Sequence, residues 1–284
     1  KKITLFSLPV IVAALGYFVD IYDLLLFTIV KKTSMLGVGS TEATLLVDST
    51  RVINWQMTGL LLGGIIWGVL ADKKGRLSVL FGSIILYSTA NFATGFVTTV
   101  DQYAWARFIG GLGLAGELGA GITLVSELLP KNKRGVGTSM VAGIGLFGAV
   151  AAYFTYQYTK DWRLCYKIGG VLGICLLLLR VKVAESGMFA AAKASEVVKG
   201  NFFMLINNGK RFKKYFFAIL IGLPTWYVIG ILLNQSDRFG KAMFASATID
   251  SGRAIMFGYV GIAIGDILIG LVSQYFKSRK KALL

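Results

Sequence analysis

Two aspartates interrupt an apolar run that extends from Leu5 to Val30. They are Asp20 and Asp23, in the stretch Tyr17-Phe18-Val19-Asp20-Ile21-Tyr22-Asp23. Their i,i+3 spacing puts both on one face of a helix. A later apolar run, 102–128, holds Arg107 and Glu117, and the last one holds Asp266. Ionisable groups in apolar surroundings are costly and default to a functional reading. The chain has no histidine, so a proton that moves through it is expected on a carboxylate, whose ionised form is disfavoured by burial and by a neighbouring like charge. Arg107 is the expected partner of the pair. It lies about 7–8 Å inside one end of its run and Asp23 about 10 Å inside the same-side end of its own, at a rise of about 1.5 Å per residue. The plainer alternatives are that Asp23 only anchors a helix end, that Arg107 forms a fixed salt bridge, and that Glu117 bonds a neighbouring helix.

Other chemistries lack their residues. Cys165 and Cys175 stand in one apolar segment without a CxxC pattern and read as helix-packing residues. Zinc, haem and histidine-based catalysis are excluded by composition, so no metal, no cofactor and no enzymatic activity are expected. A Walker-type phosphate loop is missing, which removes an ATP-driven pump. Tyr17, Tyr22, Trp226 and Tyr227 are candidates to line a substrate cavity, with packing or interface positions as the alternative.

The elements that position these groups are long apolar runs. Hydrophobic residues make up 55% of the chain, above the roughly 45–50% of soluble domains. A helix needs about 20 mostly apolar residues to cross a hydrocarbon core. Eight segments meet this: 5–30, 52–71, 77–97, 102–128, 135–157, 163–181, 213–234 and 253–276. They are continuous rather than alternating, which argues against a β-barrel. The first run is too long for the core of a signal peptide and lacks a cleavage site after it. Lys+Arg number 30 against 14 Asp+Glu, and most lie between the runs. That pattern fits a bilayer partner rather than a nucleic acid. Of the 30, 20 fall on the side of the N-terminus and 8 on the other, so the positive-inside rule places the N-terminus, the linker and the C-terminal end in the cytoplasm. The basic stretch 182–212 separates six spans from two. Its segment 190–206 reads either as an amphipathic helix on the inner leaflet or as a solvated connector.

The second span ends in Gly68-Val-Leu-Ala-Asp72-Lys-Lys-Gly75-Arg76. Gly68 would let another helix approach, Gly75 would supply a tight turn, and Asp72 and Arg76 would sit at two helix ends across it. Span four reads Arg107-Phe-Ile-Gly110-Gly111-Leu-Gly113-Leu-Ala-Gly116-Glu117, followed by Glu127-Leu-Leu-Pro130-Lys-Asn-Lys-Arg134-Gly135. Span eight ends in a degenerate echo of the first loop, Gly270-Leu-Val-Ser273-Gln274 through Ser278-Arg279-Lys280. Together these motifs resemble the major facilitator superfamily, and within it the metabolite and organic-acid–proton symporter branches. The acidic, aromatic first span is similar to theirs.

The resemblance implies an all-α integral membrane fold of twelve helices in two halves. Residues 1–181 would be the N-terminal six-helix bundle, 182–212 the cytoplasmic linker, and 213–284 the first two helices of the second half. It implies a secondary transporter of a small, anionic metabolite with protons, in the plasma membrane, or the inner membrane of a bacterium. Asp20, Asp23, Arg107 and Glu117 would couple the proton. Gly68, Asp72, Gly75, Arg76, Glu127 and Arg134 would govern the conformational cycle. A proton-coupled exporter of drugs or metabolites is one alternative, and a membrane sensor or scaffold with the same fold is another. Span five has no Gly-Pro signature and the stretch from Glu185 reads Glu-Ser-Gly-Met-Phe, which disfavours drug antiport and sugar transport respectively.

Overall fold

The computed structural model describes residues 6–74, 76–129, 134–185, 206–243 and 249–276. Among these the regular structure is helical throughout. The elements are α1 (Leu8–Gly37), α2 (Leu45–Lys74), α3 (Arg76–Thr94), α4 (Val100–Leu128), α5 (Arg134–Leu146), α6 (Gly148–Thr159) and α7 (Trp162–Glu185). They continue with α8 (Gly209–Tyr227), a π-helical segment Val228–Leu233, α9 (Ser236–Ala242) and α10 (Ser251–Tyr275). Among the described residues six stretches are long and apolar enough to cross a membrane: α1, α2, α5 with α6, α7, α8 with the π segment, and α10. A shorter apolar helix covers Ser78–Thr94 within α3, and α4 runs for 29 residues. Each of the eight expected runs is therefore helical. Most of the linker 182–212, including nearly all of 190–206, lies outside the described residues, as do Gly75 and the echo loop beyond residue 276.

The molecule is inside-out by the standard of a soluble protein. Leu61, Ile85, Leu178, Phe257 and Leu268 face outward, whereas Asp20, Asp23, Arg107, Glu117 and Arg180 are buried. This is what a hydrocarbon solvent selects. Helix α1 is the axis of the packing and touches α2, α4, α5, α6, α7 and α10. Helices α2 and α3 hold α4 between them, and α3 also packs on α7. Helix α10 lies against α5 and α6, while α8 buries none of its residues.

Two spans are broken for identifiable reasons. The fifth bends at Phe147, whose N–H bonds the Ile144 carbonyl at 3.2 Å, an i→i−3 tightening. There Gly148 abuts the Phe18 carbonyl of α1, leaving no room for a side chain. The seventh contains Pro224, which removes an N–H from the ladder, and the next turns are π-helical.

The first helix also departs from its expected bounds. It continues past residue 30 to Gly37 and carries Lys31 inward, where it is buried. The Lys31 Nζ donates to the Asn234 carbonyl at 2.8 Å and lies 3.6 Å from an Asp237 carboxylate oxygen. These bonds satisfy an ammonium that the sequence alone places in a loop.

Candidate functional site

The candidate site is a row of charged groups along one side of α1. At its upper level stands Arg107 of α4. Its Nη1 donates to Asn91 Oδ1 at 2.6 Å, its Nε to Gln56 Oε1 at 3.2 Å and its Nη2 to the Asp23 main-chain carbonyl at 3.0 Å. The guanidinium also lies 5.3 Å from the ring centre of Tyr166. It is thus fixed from α1, α2, α3 and α7 at once. Sequence depth brings Arg107 to Asp23, as expected, but the hydrogen bond goes to the Asp23 backbone. The Asp23 carboxylate, flanked by Arg107 and Asn91, accepts no hydrogen bond, and neither does that of Asp20.

At the lower level Glu117 of α4 meets Arg180 of α7. Arg180 Nη1 donates to Glu117 Oε2 at 2.5 Å and Nη2 donates to Oε1. This bidentate pair sits on Gly16 of α1, where an added Cβ would strike both partners. Asp20 is one turn above Gly16 on the same face. The hydroxyl of Tyr87, fully buried on α3, has no hydrogen-bond partner and faces the charges of Asp20, Glu117, Asp23 and Arg180. From Gly16 to Asp23 the row is about 10 Å long at about 1.5 Å per residue. Arg180 closes an apolar run, so by sequence alone it reads as a loop cation. Gln56 and Asn91 could have been found as polar residues inside apolar spans.

The aromatic candidates are dispersed. Tyr22 is buried and donates to the Cys165 carbonyl at 3.0 Å, so it packs α1 on α7. Tyr17 packs its ring on Gly145 and stands near Asp20 and Asp266, at the junction of α1, α5 and α10. Trp226 and Tyr227 are half-exposed on α8. The structure does not bring these four together.

The cytoplasmic-loop residues are placed less completely. Asp72 is exposed near the end of α2. Gly75, and the side chains of Arg76 and Glu127, lie outside what is described. Arg134 Nε donates to the Leu129 carbonyl at 3.0 Å, tying the start of α5 to the carbonyl end of α4, where a cation is favoured. At Gly68 a Cβ would have no atom of the described residues within 4 Å. Trp67, one residue earlier, fills the junction and donates to the Leu112 carbonyl at 2.6 Å, so Gly68 points elsewhere. The close approach falls instead at Gly59 and Gly63, against the backbone of α4. Among the described residues no group of three or more His, Cys, Asp or Glu is arranged to hold a metal ion.

The sequence profile of the Major Facilitator Superfamily matches residues 10–284. The chain belongs to the major facilitator superfamily. It is a multi-pass membrane protein of that fold. It is 32% identical over 179 residues to the niacin transporter NiaP of Acinetobacter baylyi, covering 62% of this chain and 40% of that protein. The 4-hydroxybenzoate transporter PcaK of Pseudomonas putida is 32% identical over 146 residues, 50% of this chain and 33% of its own length. The sialic acid transporter NanX of Escherichia coli is 24% identical over 279 residues, 93% of this chain and 67% of its own. The chain thus spans between about one third and two thirds of these relatives. Among solved structures, the proton:xylose symporter XylE bound to 6-bromo-6-deoxy-D-glucose superposes with a TM-score of 0.67 at 13% identity, covering 94% of this chain and 68% of that one. That likeness speaks to the fold.

Proposed function

We propose that this chain forms part of a secondary transporter that moves a small, anionic metabolite together with protons by alternating access, with its N-terminus in the cytoplasm. One observation carries the reading. Asp20 and Asp23 are buried on one helix and their carboxylate oxygens accept no hydrogen bond. An ionised carboxylate so placed costs several kcal/mol, and a bound proton removes most of that cost. A site that is stable protonated and unstable empty is suited to drive a conformational change when the proton leaves. Arg107, held above the pair, supplies the positive field that would attract an anion. The relatives point the same way, since niacin, 4-hydroxybenzoate and sialic acid are all organic acids.

The test is uptake into proteoliposomes of the purified protein, with radiolabelled nicotinate and 4-hydroxybenzoate as probes. An inward proton gradient is expected to drive accumulation of at least one of them, and a protonophore to abolish it. Movement of the label out against the proton would make the protein an exporter. No flux and no counterflow for either acid would overturn the reading in favour of a sensor or scaffold.

A further inference from the structure

Arg180 is a buried cation beside Asp20 that the proton-symport reading leaves without a task. Its guanidinium is held by Glu117 through both nitrogens, and the pair rests on α1 at Gly16. Asp20 lies four residues on, about 6 Å along the axis at about 1.5 Å per residue, and both Glu117 and Arg180 act on its charge. The carboxylates of Asp20, Asp23 and Glu117 share this core with the guanidinium groups of Arg107 and Arg180. One bound proton therefore makes the core electrically neutral.

We infer that Arg180 is the residue that reports the protonation of Asp20 to the bundle: Glu117 holds it while Asp20 carries the proton, and Asp20 shares it once the proton has left. The step is a simple ionisation. The O–H bond of the Asp20 carboxylic acid breaks, the proton passes to the open side, and the electron pair stays on the carboxylate, which then draws one Arg180 nitrogen from Glu117. Since Glu117 is on α4, Asp20 on α1 and Arg180 on α7, the exchange changes how three helices are tied together. Glycine at position 16 is what lets the guanidinium reach along α1.

The other groups that bear on Asp20 can be named element by element. On α1 they are Asp23 and Tyr17. From α3 comes Tyr87; Arg107 of α4 and Tyr166 of α7 bear on Asp23, and Asp266 of α10 stands beside Tyr17. Helix α2 contributes the uncharged Gln56. On α5 Arg134 is bonded at the far end of α4, and on α6 Tyr153 is engaged by Arg253.

The inference rests on the symport reading, and the experiment separates the two. Wild type, Arg180→Gln, Arg180→Lys and the double variant Glu117→Gln/Arg180→Gln are reconstituted, and protons entering per labelled nicotinate or 4-hydroxybenzoate are counted with an internal pH dye. If wild type carries the acid without protons, the symport reading itself fails. If wild type couples, Arg180→Gln and the double variant are expected to lose proton-driven accumulation by about tenfold or more while counterflow persists, with Arg180→Lys restoring part of it, as retention of a nearby opposite charge requires. A brace between α4 and α7 predicts otherwise: the double variant leaves no orphaned charge and would couple like wild type. That result overturns the inference, as does loss of counterflow in the double variant. The double variant also keeps the test alive where Arg180→Gln alone fails to fold.

Discussion

Asp20 and Asp23 share a helix face but not an environment. Asp20 is near the Glu117–Arg180 pair and Tyr87, whereas Asp23 is near Arg107 and Asn91. If one of them carries the coupled proton, the two neutral variants must differ. Replacing the true site by asparagine fixes the core in its proton-bound charge state, so gradient-driven uptake should fall by about tenfold or more while exchange of labelled for unlabelled acid continues. On the reading proposed above, that behaviour is expected of Asp20→Asn. Asp23→Asn should instead lose affinity, since Arg107 and its anion-attracting field are centred there. Normal accumulation in both variants would remove the aspartates from the coupling and leave Glu117 as the carboxylate to test. At this scale the sequence was legible where a charge interrupts an apolar run, as at Asp20, Asp23, Arg107 and Glu117. It was opaque at Arg180 and Lys31, because a basic residue at the margin of such a run reads as a loop cation. Only the partner across the bundle, Glu117 or Asn234, reveals that it is buried.

The helices were legible because hydropathy alone demands them, but their contacts were not. The glycines of α2 show the difference. A Cβ at Gly59 would press on the Phe108 carbonyl of α4, whereas one at Gly64 would meet nothing within 4 Å. Five residues apart on one helix, the two positions should answer an alanine substitution with opposite signs. Gly59→Ala must push two backbones apart, and overpacking of this kind costs about 1–3 kcal/mol, so the melting temperature in detergent should fall by several degrees. Gly64→Ala should leave it unchanged or raise it, since alanine is favoured over glycine in a helix by about 0.5–1 kcal/mol. Equal effects at both sites would mean that α2 and α4 are not packed at Gly59. Gly68 makes the same point, since no described helix meets it: a sequence motif names a small residue without naming the side of the helix it faces. The breaks at Phe147 and after Pro224 fall between these cases. A proline announces a weak point in a helix, but the bend at Phe147 depends on Gly148 meeting α1, which only the packing shows.

Across the whole molecule α1 and α6 are joined to α9, α10 and the π segment's end at the side away from the N-terminus. Lys31 of α1 bonds the Asn234 carbonyl and faces Asp237, Asn234 Nδ2 donates to Thr28 Oγ1 at 3.3 Å, and Arg253 Nε reaches the Tyr153 hydroxyl at 3.5 Å. Ser251 Oγ in turn donates to Asp237 at 2.7 Å, so α9 and α10 close on α1 together. These contacts hold this end together in the present structure, and the alternating access proposed above requires them to break. Loss of the lysine leaves the Asn234 carbonyl without its charged donor, which removes about 1–3 kcal/mol from the closed form, and about 1.4 kcal/mol is tenfold in a two-state population. The measurement is labelling of a single cysteine at Ile29, a buried position close to Gly252, in a Cys175→Ser background by a membrane-impermeant maleimide added to intact cells. A cysteine at the exposed Thr41 serves as the control for sidedness, because positive-inside reasoning puts that loop outside. Ile29→Cys should react slowly in the otherwise native protein and about tenfold or more faster when Lys31→Ala is added, whereas Thr41→Cys should react equally fast in both. If Thr41→Cys stays unlabelled in intact cells, the orientation is reversed. If Thr41→Cys reacts and Ile29→Cys remains slow without Lys31, the contacts of Asn234 and Arg253 hold the two halves together without the lysine.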